Sequence, residues 1–470
     1  MKNSVEQMPP VFDDQRRSTF RAISSTLIVI LTTLPFMWLW FQFVSENNIT
    51  GHLLGKGNLF MAIGIYMILI VIFFHSFGAF RIGTNRASEV FASQILGVFL
   101  VNITEILISM AITGQVRFWD NFFVLYLMLT IFQVILLLIY TKLAVSFYVE
   151  KFPPMEVLEI YGSYVNHLAE KINGRSYLYR IKGRMSADSP MAQIEKVIPF
   201  YDAVLINDVE SERKNDIIKF CYGINERVYF TPKISDILTR SASVLNLFDT
   251  PIYVMTNGKR WVIQSALKRA FDFLLSLIAL IILSPLLLFV AITIKVNDGG
   301  PVFYKQKRAT LGGKTFDILK FRSMIVDAEK DGKSRPAQDG DDRITKVGRW
   351  IRPTRMDELP QLINILKGDM SLVGPRPERV EHVEKYSEEI PEFIFRNKVR
   401  GGLTGYAQVY GKYNTTPLDK LKLDLMYIQS WSLLLDFQLI VETVKVIFKP
   451  ESTEGFSKED SQKIHDLTGK

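Results

Sequence analysis

Two adjacent carboxylates, Asp357 and Glu358, are the residues of this sequence whose types most directly suggest chemistry. They lie in the segment MDELPQ, residues 356–361. Just before them a cationic residue recurs at every third position: Arg343, Lys346, Arg349, Arg352 and Arg355. A carboxylate can attack phosphorus or hold a metal ion, and arginines bind phosphate oxygens. The segment therefore predicts a site for a phosphorylated substrate, where one acid attacks phosphorus and the other holds a metal.

Pro360 indicates how these acids are positioned, because proline is tolerated in the first turn of a helix. We expect a helix that begins near Asp357 and ends at Gly368. Its apolar side would consist of Leu362, Ile363, Ile365 and Leu366. The helix dipole favours anions at such an N-terminus, and neighbouring side chains point about 100° apart. An ordinary helix start would explain one of the acids, but it does not explain five cations.

Further cations lie on both sides of this segment. The alternation in Thr315–Arg322 predicts a strand, with Phe316, Ile318, Lys320 and Arg322 on one face. Two residues along a strand span about 6.7 Å, so Lys320 and Arg322 could hold neighbouring oxygens of a diphosphate. Taken alone, a solvated basic face or a patch on lipid headgroups explains this strand better. Arg376 stands between Pro375 and Pro377, which fix the backbone and present a guanidinium suited to phosphate.

The segment Asp339-Gly340-Asp341-Asp342 resembles the Asp-x-Asp metal site of many nucleotide-sugar glycosyltransferases. It is also a common turn sequence, and no glycosyltransferase-type nucleotide domain precedes it. We interpret it as a turn and keep the metal site as the alternative.

The elements that position these groups include membrane helices. The chain has 470 residues, 48% of them hydrophobic, and a mean hydropathy of +0.14. Four apolar runs have lengths close to the roughly 20 residues that a membrane-spanning helix needs. They are roughly Ala22–Phe43, Leu59–Phe80, Val90–Thr113 and Phe122–Tyr140. Cations flank the two ends and the middle of this region: Arg16, Arg17, Arg21, Arg81, Arg86, Lys142 and Lys151. The positive-inside rule then places both ends of the bundle in the cytoplasm.

A fifth apolar run, Phe271–Ile294, differs from the first four. Ser284-Pro285 interrupts its middle, and cations flank both of its ends. Each half is about a dozen residues, roughly 18 Å as a helix, which is about half a bilayer. We predict a re-entrant helix over residues 270–296 that enters and leaves by the cytoplasmic face. An ordinary spanning helix with a tolerated proline is the alternative.

Between the fourth and fifth runs, short strands alternate with helices, which predicts a small parallel α/β layer. The strand candidates are Ser176–Ile181, Ala203–Ile206 and Arg227–Phe230, and the helix candidates are Ser163–Ile172, Met191–Val197 and Ser211–Cys221. The start of this region has one glycine, Gly162, where a dinucleotide fingerprint needs several. We expect a scaffold or regulatory domain without a bound cofactor.

Charge and cysteine content narrow the setting. The single cysteine, Cys221, excludes an internal disulfide and suits a reducing compartment. The net charge of +8 fits cytoplasmic loops rich in lysine and arginine, or an anionic partner such as a lipid headgroup or phosphorylated substrate. We expect no nucleic-acid partner, and a homo-oligomer stays open.

Several longer motifs, in one order, resemble the bacterial sugar transferase family, the monotopic phosphoglycosyl transferases that start glycan assembly on polyprenyl phosphate. They span about Lys268 to Phe448 and read SP, GPVFYKQKR, KFRSM, DDRITKVGRWIR, DELPQL, GDMSLVGPRPE and GLTGYAQVYGK. The four spans and the α/β layer look like the long form of the family. Two departures stand out: the family commonly has Pro-Gly at Gly401-Gly402 and Ser-Leu at Arg355-Met356, which puts loop rigidity and sugar choice in question.

The resemblance implies transfer of a sugar-1-phosphate, with a hexose as the expected sugar, from a UDP-sugar to undecaprenyl phosphate with release of UMP. Such transfer would start exopolysaccharide, capsule or O-antigen assembly. Asp357 matches the family nucleophile, Glu358 its partner in Mg²⁺ binding, and we assign both as metal ligands. The substrate-binding assignments are Lys320, Arg322, Arg343, Arg352, Arg376 and Glu378.

The sequence thus predicts a membrane protein with an α-helical four-span bundle, a Rossmann-like α/β domain and a mixed α/β catalytic domain with a re-entrant membrane helix. The expected boundaries are 1–20 for a cytoplasmic tail, 21–146 for the spans, 147–262 for the degenerate Rossmann-like domain and 263–470 for the catalytic domain. We expect the bacterial inner membrane, with the catalytic domain cytoplasmic. Two alternatives remain: a direct glycosyltransferase using Asp339 and Asp341, which would release UDP, and an inactive scaffold of a polysaccharide assembly complex.

Overall fold

A computed structural model describes residues 10–45, 48, 55–114, 119–163, 168–174, 178–246, 249–255, 262–326, 328, 341–411 and 415–447 of the chain. It divides into two compact units, residues 1–232 and residues 233–470.

The first unit begins with four long apolar helices: α1 (Pro10–Leu39, continued by a π-helical turn at Trp40–Val44), α2 (Lys56–Phe77), α3 (Ala87–Thr113) and α4 (Trp119–Lys151). Three of the four predicted runs lie within these helices, and the second, Leu59–Phe80, extends three residues beyond the end of α2 at Phe77. Each helix is long and apolar enough to cross a membrane. Polar side chains join the helices inside the bundle. Gln133 of α4 donates to the Tyr66 hydroxyl of α2 at 2.8 Å and accepts from Asn102 of α3 at 2.9 Å. Asn102 therefore makes an interhelical contact.

The α/β part of the first unit is a four-stranded parallel sheet. The alternation of short segments predicted a parallel layer and three of its strands, whereas the strand Met155–Tyr161 was not predicted. Its elements are β1 (Met155–Tyr161), α5 (Leu168–Asn173), β2 (Tyr179–Ser186), α6 (Met191–Val197), β3 (Ala203–Asn207), α7 (Ser211–Gly223) and β4 (Val228–Phe230). The strand order is β2-β1-β3-β4. The predicted bounds are close for α6, β3 and β4, and β2 extends beyond its predicted end at Ile181 to Ser186. The predicted start of β2 at Ser176 lies outside the described residues.

The second unit is a mixed α/β arrangement around a long helix. Its elements up to the paired acids are α8 (Ile234–Thr239), β5 (Ser243–Leu245), β6 (Ile252–Val254), α9 (Val262–Asp298), β7 (Phe303–Ala309), β8 (Thr315–Phe321) and α10 (Lys346–Ile351). After them come α11 (Gln361–Lys367), β9 (Ser371–Val373), α12 (Val380–Glu389), β10 (Gly402–Thr404), α13 (Tyr406–Tyr410), α14 (Pro417–Ser430) and α15 (Leu433–Ile447). Strands β7 and β8 form an antiparallel hairpin, and β9 pairs with β10 in parallel.

Helix α9 runs without interruption through Ser284-Pro285. Proline lacks the N–H that would bond the carbonyl four residues earlier, which here is the carbonyl of Ile281. The hydroxyl of Ser284 donates to this carbonyl at 2.8 Å. The serine thus satisfies the acceptor that the proline leaves open.

Both halves of α9 pack against the rest of the second unit. The first half contributes Leu275, Ala279, Leu280 and Leu283 to a cluster around Leu362 and Ile365 of α11. The second half contributes Leu286, Leu287, Val290, Ala291 and Ile294 to a cluster with Phe321 of β8 and Ile351 of α10. The helix thus places α10, α11 and the end of β8, which flank the paired acids, on one apolar support.

Candidate active site

The paired acids lie in a 3₁₀ turn, Met356–Glu358, that precedes helix α11. The predicted helix begins at Gln361 rather than near Asp357, because the amides of this turn bond three residues back: Glu358 N donates to Arg355 O at 3.1 Å. Arg355 has a left-handed backbone (φ 53°), which turns the chain away from α10. Gly368 ends α11 in the left-handed conformation, as predicted.

Glu358 accepts from two cations. Its Oε1 atom lies 2.8 Å from Lys320 Nζ and 2.6 Å from Arg376 Nη2, and its Oε2 atom lies 3.4 Å from Arg376 Nη1. Burial alone would raise the pKa of Glu358, but Arg376 and Lys320 outweigh it and hold that pKa well below its usual range. Glu358 therefore stays ionised and fixes both cations in the site.

Asp357 differs from its neighbour, because the described residues supply no hydrogen bond or ion pair to its carboxylate. It is half-buried, and burial raises its pKa to about 6, against the opposing effect of Lys320. Burial also lowers the pKa of Lys320, although Glu358 counteracts this. At neutral pH Asp357 is thus a charged, uncommitted carboxylate beside fixed cations, the condition that a nucleophile needs.

The loop Gly374–Glu378, which carries Arg376, is held by side chains that the sequence reasoning missed. Arg396 Nη2 donates to the Arg376 carbonyl at 2.9 Å and forms an ion pair with Asp424 at 2.7 Å. Arg308 Nη1 donates to the neighbouring carbonyl of Pro377 at 3.1 Å. Arg396 and Asp424 are 3% and 1% exposed. The signal in the sequence was Asp424, an acid between Leu421 and Leu425 at a buried helical position.

Glu378 lies at the end of the same loop, where it faces two arginines. Its Oε1 atom is 3.6 Å from Arg396 Nη1, and its Oε2 atom is 3.9 Å from Arg308 Nη1. Burial would raise its pKa, but Arg396 leads the cations that lower it overall. Its assignment to substrate binding stays a prediction.

Arg322 directly follows the end of β8 at Phe321, and its amide still donates to the Val302 carbonyl at 2.9 Å. A common strand face with Lys320 stays a prediction. The Arg322 guanidinium forms an ion pair with Asp298 at the end of α9 and donates to the Pro301 carbonyl at 2.7 Å. Arg322 is 6% exposed. Arg322 is thus already paired with Asp298, and its assignment to substrate binding stays a prediction.

The cations upstream of the paired acids have different partners. Arg343 pairs with Asp341 at 2.6 Å, so the charge of this acid of the alternative Asp-x-Asp metal site is already neutralised. Asp339 and Gly340 of the same motif lie outside the described residues. Arg352 donates weakly to the Ser323 hydroxyl at 3.4 Å and is one of the cations that lower the pKa of Asp357. The structure therefore links Arg352, but not Arg343, to the paired acids.

A metal ion could bind at the paired acids. Among the described residues, no three side chains of His, Cys, Asp or Glu gather in a metal-binding group. Mg²⁺, however, commonly uses one or two carboxylates together with substrate phosphates and water. Asp357 is uncommitted, and Glu358 Oε2 keeps a lone pair because its contact is long. The two residues fit this mode of binding.

The fold and site define a class: a protein with membrane-length apolar helices, a parallel α/β sheet and a site where cations converge on paired carboxylates. Residues 263–450 match the family described as bacterial sugar transferase. The chain belongs to this family, and the resemblance drawn from the motifs is confirmed.

Three relatives illustrate the similarity. A "UDP-glucose:undecaprenyl-phosphate glucose-1-phosphate transferase" of Caulobacter vibrioides is 44% identical over 183 residues, 38% of this chain and 68% of the relative. A protein of the same name from Klebsiella pneumoniae is 43% identical over 43% of this chain and 42% of the relative. The "UDP-N-acetylgalactosamine-undecaprenyl-phosphate N-acetylgalactosaminephosphotransferase" of Aeromonas hydrophila is 38% identical over 53% of this chain and 59% of the relative. The chain thus spans about half the length of the last two.

Proposed function

We propose that this protein transfers a sugar-1-phosphate from a UDP-sugar to undecaprenyl phosphate and releases UMP. One observation carries the proposal: Asp357 is an uncommitted carboxylate beside Glu358, which holds Lys320 and Arg376 in place. The names of the relatives support this class of donor and acceptor, with glucose or N-acetylgalactosamine as the sugar. A hexose is the sugar that we propose here.

The reaction has two steps. In the first, an oxygen of Asp357 attacks the sugar-side phosphorus of the donor, the bond from that phosphorus to the bridging oxygen breaks, and UMP leaves with the bridging oxygen. In the second, an oxygen of the lipid phosphate attacks the same phosphorus, and the bond to Asp357 breaks. The carboxylate is thereby regenerated. The covalent intermediate lets two bulky anions use one site in turn.

The cations have separate duties in this scheme. Lys320 and Arg376 already face Glu358 and offer donors to phosphate oxygens, and Arg352 adds positive charge near Asp357. Asp357 and Glu358 would hold Mg²⁺, which supplies positive charge against the developing charge on phosphorus when bound. Arg396 and Arg308 keep the Arg376 loop in position.

The membrane placement is part of the proposal. We place four spans in the first unit and treat α9 as re-entrant, so that the site lies at the cytoplasmic face of the bacterial inner membrane. The packing of both halves of α9 on the second unit supports this, because a helix that crossed the bilayer would carry one half away from that unit. The lipid phosphate would then reach Asp357 from the leaflet, where the product starts a surface polysaccharide.

Asp357→Asn tests the proposal directly. The full chain in detergent is given a UDP-sugar with radioactive phosphorus at the sugar-side position and quenched during turnover. We expect a labelled adduct in the unaltered protein and in Asp317→Asn, which changes an exposed acid on β8. Asp357→Asn should show neither adduct nor UMP. Turnover without the adduct would overturn the mechanism.

The released nucleotide distinguishes the other classes of function. UDP as the product would indicate direct glycosyl transfer, and no nucleotide release from any UDP-sugar would indicate a scaffold. A panel of UDP-hexoses and UDP-N-acetylhexosamines, ranked by UMP release, would identify the sugar.

A further inference from the structure

A cavity of about 440 Å³ opens in the first unit, where α1 and the end of α2 meet the loop of residues 78–85. Its polar lining comprises Arg21, His75, Arg81, Thr84 and Asn85, and the rings of Phe74 and Phe80 form its apolar part. The proposed transfer reaction uses none of these residues. The lining contains two arginines, a histidine and two neutral polar residues, but no acid.

Neither arginine is neutralised by the residues that the structure describes. Arg21 Nε donates to the backbone carbonyl of Arg17 at 3.3 Å, which leaves its terminal nitrogens available. The Arg81 side chain is exposed and lies along Gly78, where its Cδ atom would be 3.2 Å from an added Cβ. Two cations without a carboxylate are the usual composition of a site for an anion.

The loop is fixed before any ligand binds. Gly78 ends α2 with φ at 71°, and Ala79 and Ile82 are fully buried. Gln94 Nε2 donates to the Ala79 carbonyl at 3.2 Å. At Gly83 (φ 77°), an added Cβ would overlap the ring of Tyr148. Because these residues hold the backbone, Arg81, Thr84 and Asn85 are presented with little further loss of entropy on binding.

The surface next to the cavity is apolar and exposed. Ile23 and Leu27 on α1 are 55% and 40% exposed, and Val71 and Ile72 on α2 are 47% and 50% exposed. Val71 lies about one turn from Phe74 on the same side of α2, whereas Ile23, Leu27 and Ile72 lie on sides of their helices that turn away from Arg21 and Phe74. Both helices are of membrane-spanning length. A ligand with a phosphate group and an attached hydrocarbon chain could contact both the cations and the Val71 side of α2, whereas a free anion could contact only the cations.

We propose that this cavity binds the phosphate headgroup of an anionic membrane lipid, with Arg21 and Arg81 as the phosphate ligands. Asn85 offers a further donor, whereas the Thr84 hydroxyl donates to the Arg81 carbonyl at 3.1 Å and helps to shape the loop. The acyl chains lie along α2. The site lies in the first unit, shares no residue with the proposed active site and does not depend on the proposed reaction.

The test uses the full chain in detergent, titrated with phosphatidylglycerol and followed by native mass spectrometry. We compare Arg21→Gln/Arg81→Gln with Arg16→Gln/Lys142→Gln, which removes two exposed cations outside the cavity. Each cation should contribute about fivefold in affinity for the anionic lipid, so the first variant should bind the lipid about 25-fold more weakly. The control variant should bind like the unaltered protein.

Two further titrations distinguish the headgroup of an anionic lipid from other phosphate-containing ligands. Phosphatidylcholine should bind weakly to all variants, and inorganic phosphate should not displace phosphatidylglycerol at equal concentration. Equal losses in both double variants, or inorganic phosphate that binds as tightly as the lipid, would overturn the proposal. Should the double variant fail to fold, Arg81→Gln alone changes only an exposed side chain, and unchanged lipid affinity in it would equally overturn the assignment.

Discussion

Each unit of the molecule contains a glutamate that is engaged by two polar partners, and the two sites differ in what stands beside that glutamate. In the parallel sheet, Glu159 accepts from Arg184 Nε at 2.6 Å and from Asn207 Nδ2 at 2.8 Å. In the second unit, Glu358 accepts from Lys320 and Arg376. Both residues flanking Glu159 in sequence are buried and apolar, whereas Glu358 comes directly after the uncommitted Asp357. A carboxylate that already accepts hydrogen bonds fixes the side chains around it. Only a second carboxylate beside it that accepts none from the described residues, as Asp357 does beside Glu358, is available for a reaction.

The carboxyl ends of the strands in the parallel sheet are the second feature of this comparison. In doubly wound sheets, ligands bind where the strand order reverses, which here is between β1 and β3. Gly162 lies against this gap, and an added Cβ would be 2.1 Å from the Asp208 carbonyl oxygen. The two strand ends thus approach each other closely. The expectation of a scaffold or regulatory domain without a cofactor stays a prediction.

Removing the uncommitted acid should have the largest effect. We expect Asp357→Asn to lower UMP release by at least about a thousandfold. It should also raise the thermal stability of the protein above pH 6. Burial raises the pKa of Asp357 to about 6, so the charged form costs stability that the amide does not. Unfolding temperatures at pH 5 and pH 7.5 check this, and a variant less stable at both values would contradict it.

Neutralising the engaged acid should impair both activity and stability. In Glu358→Gln the cations Lys320 and Arg376 lose the carboxylate that holds them, and we expect UMP release to fall about a hundredfold. Because the pKa of Glu358 lies well below its usual range, its stabilising effect is present above the usual carboxyl pKa and is lost as the pH falls. The stability difference from the unaltered protein should therefore shrink in acid. A constant difference would show that Glu358 acts through packing.

A change at Arg396 tests whether Arg376 must be held in position for Glu358 and its surroundings to support activity. Arg396 Nη2 contacts both the Arg376 carbonyl and Asp424. The shorter lysine side chain does not bring its nitrogen to that position, so we expect Arg396→Lys to lower kcat about tenfold to a hundredfold. The KM for the UDP-sugar should change less. Arg400→Lys is the matched control, because Arg400 is exposed and donates to a single carbonyl, that of Gly368. Equal effects of the two changes would contradict a positioning role for Arg396.

The pH dependence sharpens the assignment of the nucleophile. Because only the ionised form of Asp357 attacks, kcat/KM should rise about tenfold per pH unit up to about 6 and then level off. Lys320 lowers the pKa of Asp357, so Lys320→Met should move this limb to higher pH. A limb that stays in place in Lys320→Met would indicate that another group is titrating.

Changing the glutamate of the sheet should affect stability alone. Glu159→Gln weakens the bond to Arg184, and we expect the free energy of unfolding to fall by about 1–3 kcal/mol. UMP release per folded molecule should stay within twofold of the unaltered protein. Chemical denaturation and an activity assay on the same sample check both expectations. A loss of activity larger than the loss of folded protein would give this domain a part in the reaction.

Sequence reasoning predicted the elements better than it predicted the side-chain partners. Apolar runs of membrane length and the alternation of short strands and helices depend on local pattern, and the structure has these helices and this parallel sheet. The convergence of Lys320 and Arg376 on the paired acids was also expected in part. Alternation indicates the face of a strand but not the tertiary partner of a side chain, so the ion pair of Arg322 with Asp298 was missed. Arg396 and Asp424 were missed because their contact depends on tertiary packing.

Gly401, one of the positions where the chain departs from its family, is tied to its surroundings on two sides. Its amide donates to the Thr310 hydroxyl at 3.2 Å, and an added Cβ would be 2.4 Å from Pro377 Cγ. The proline that the family commonly has here would lose that donor and press on the loop that carries Arg376. Consensus engineering, which replaces rare residues with the commonest ones, should therefore fail at this position unless Thr310 and Pro377 are redesigned with it.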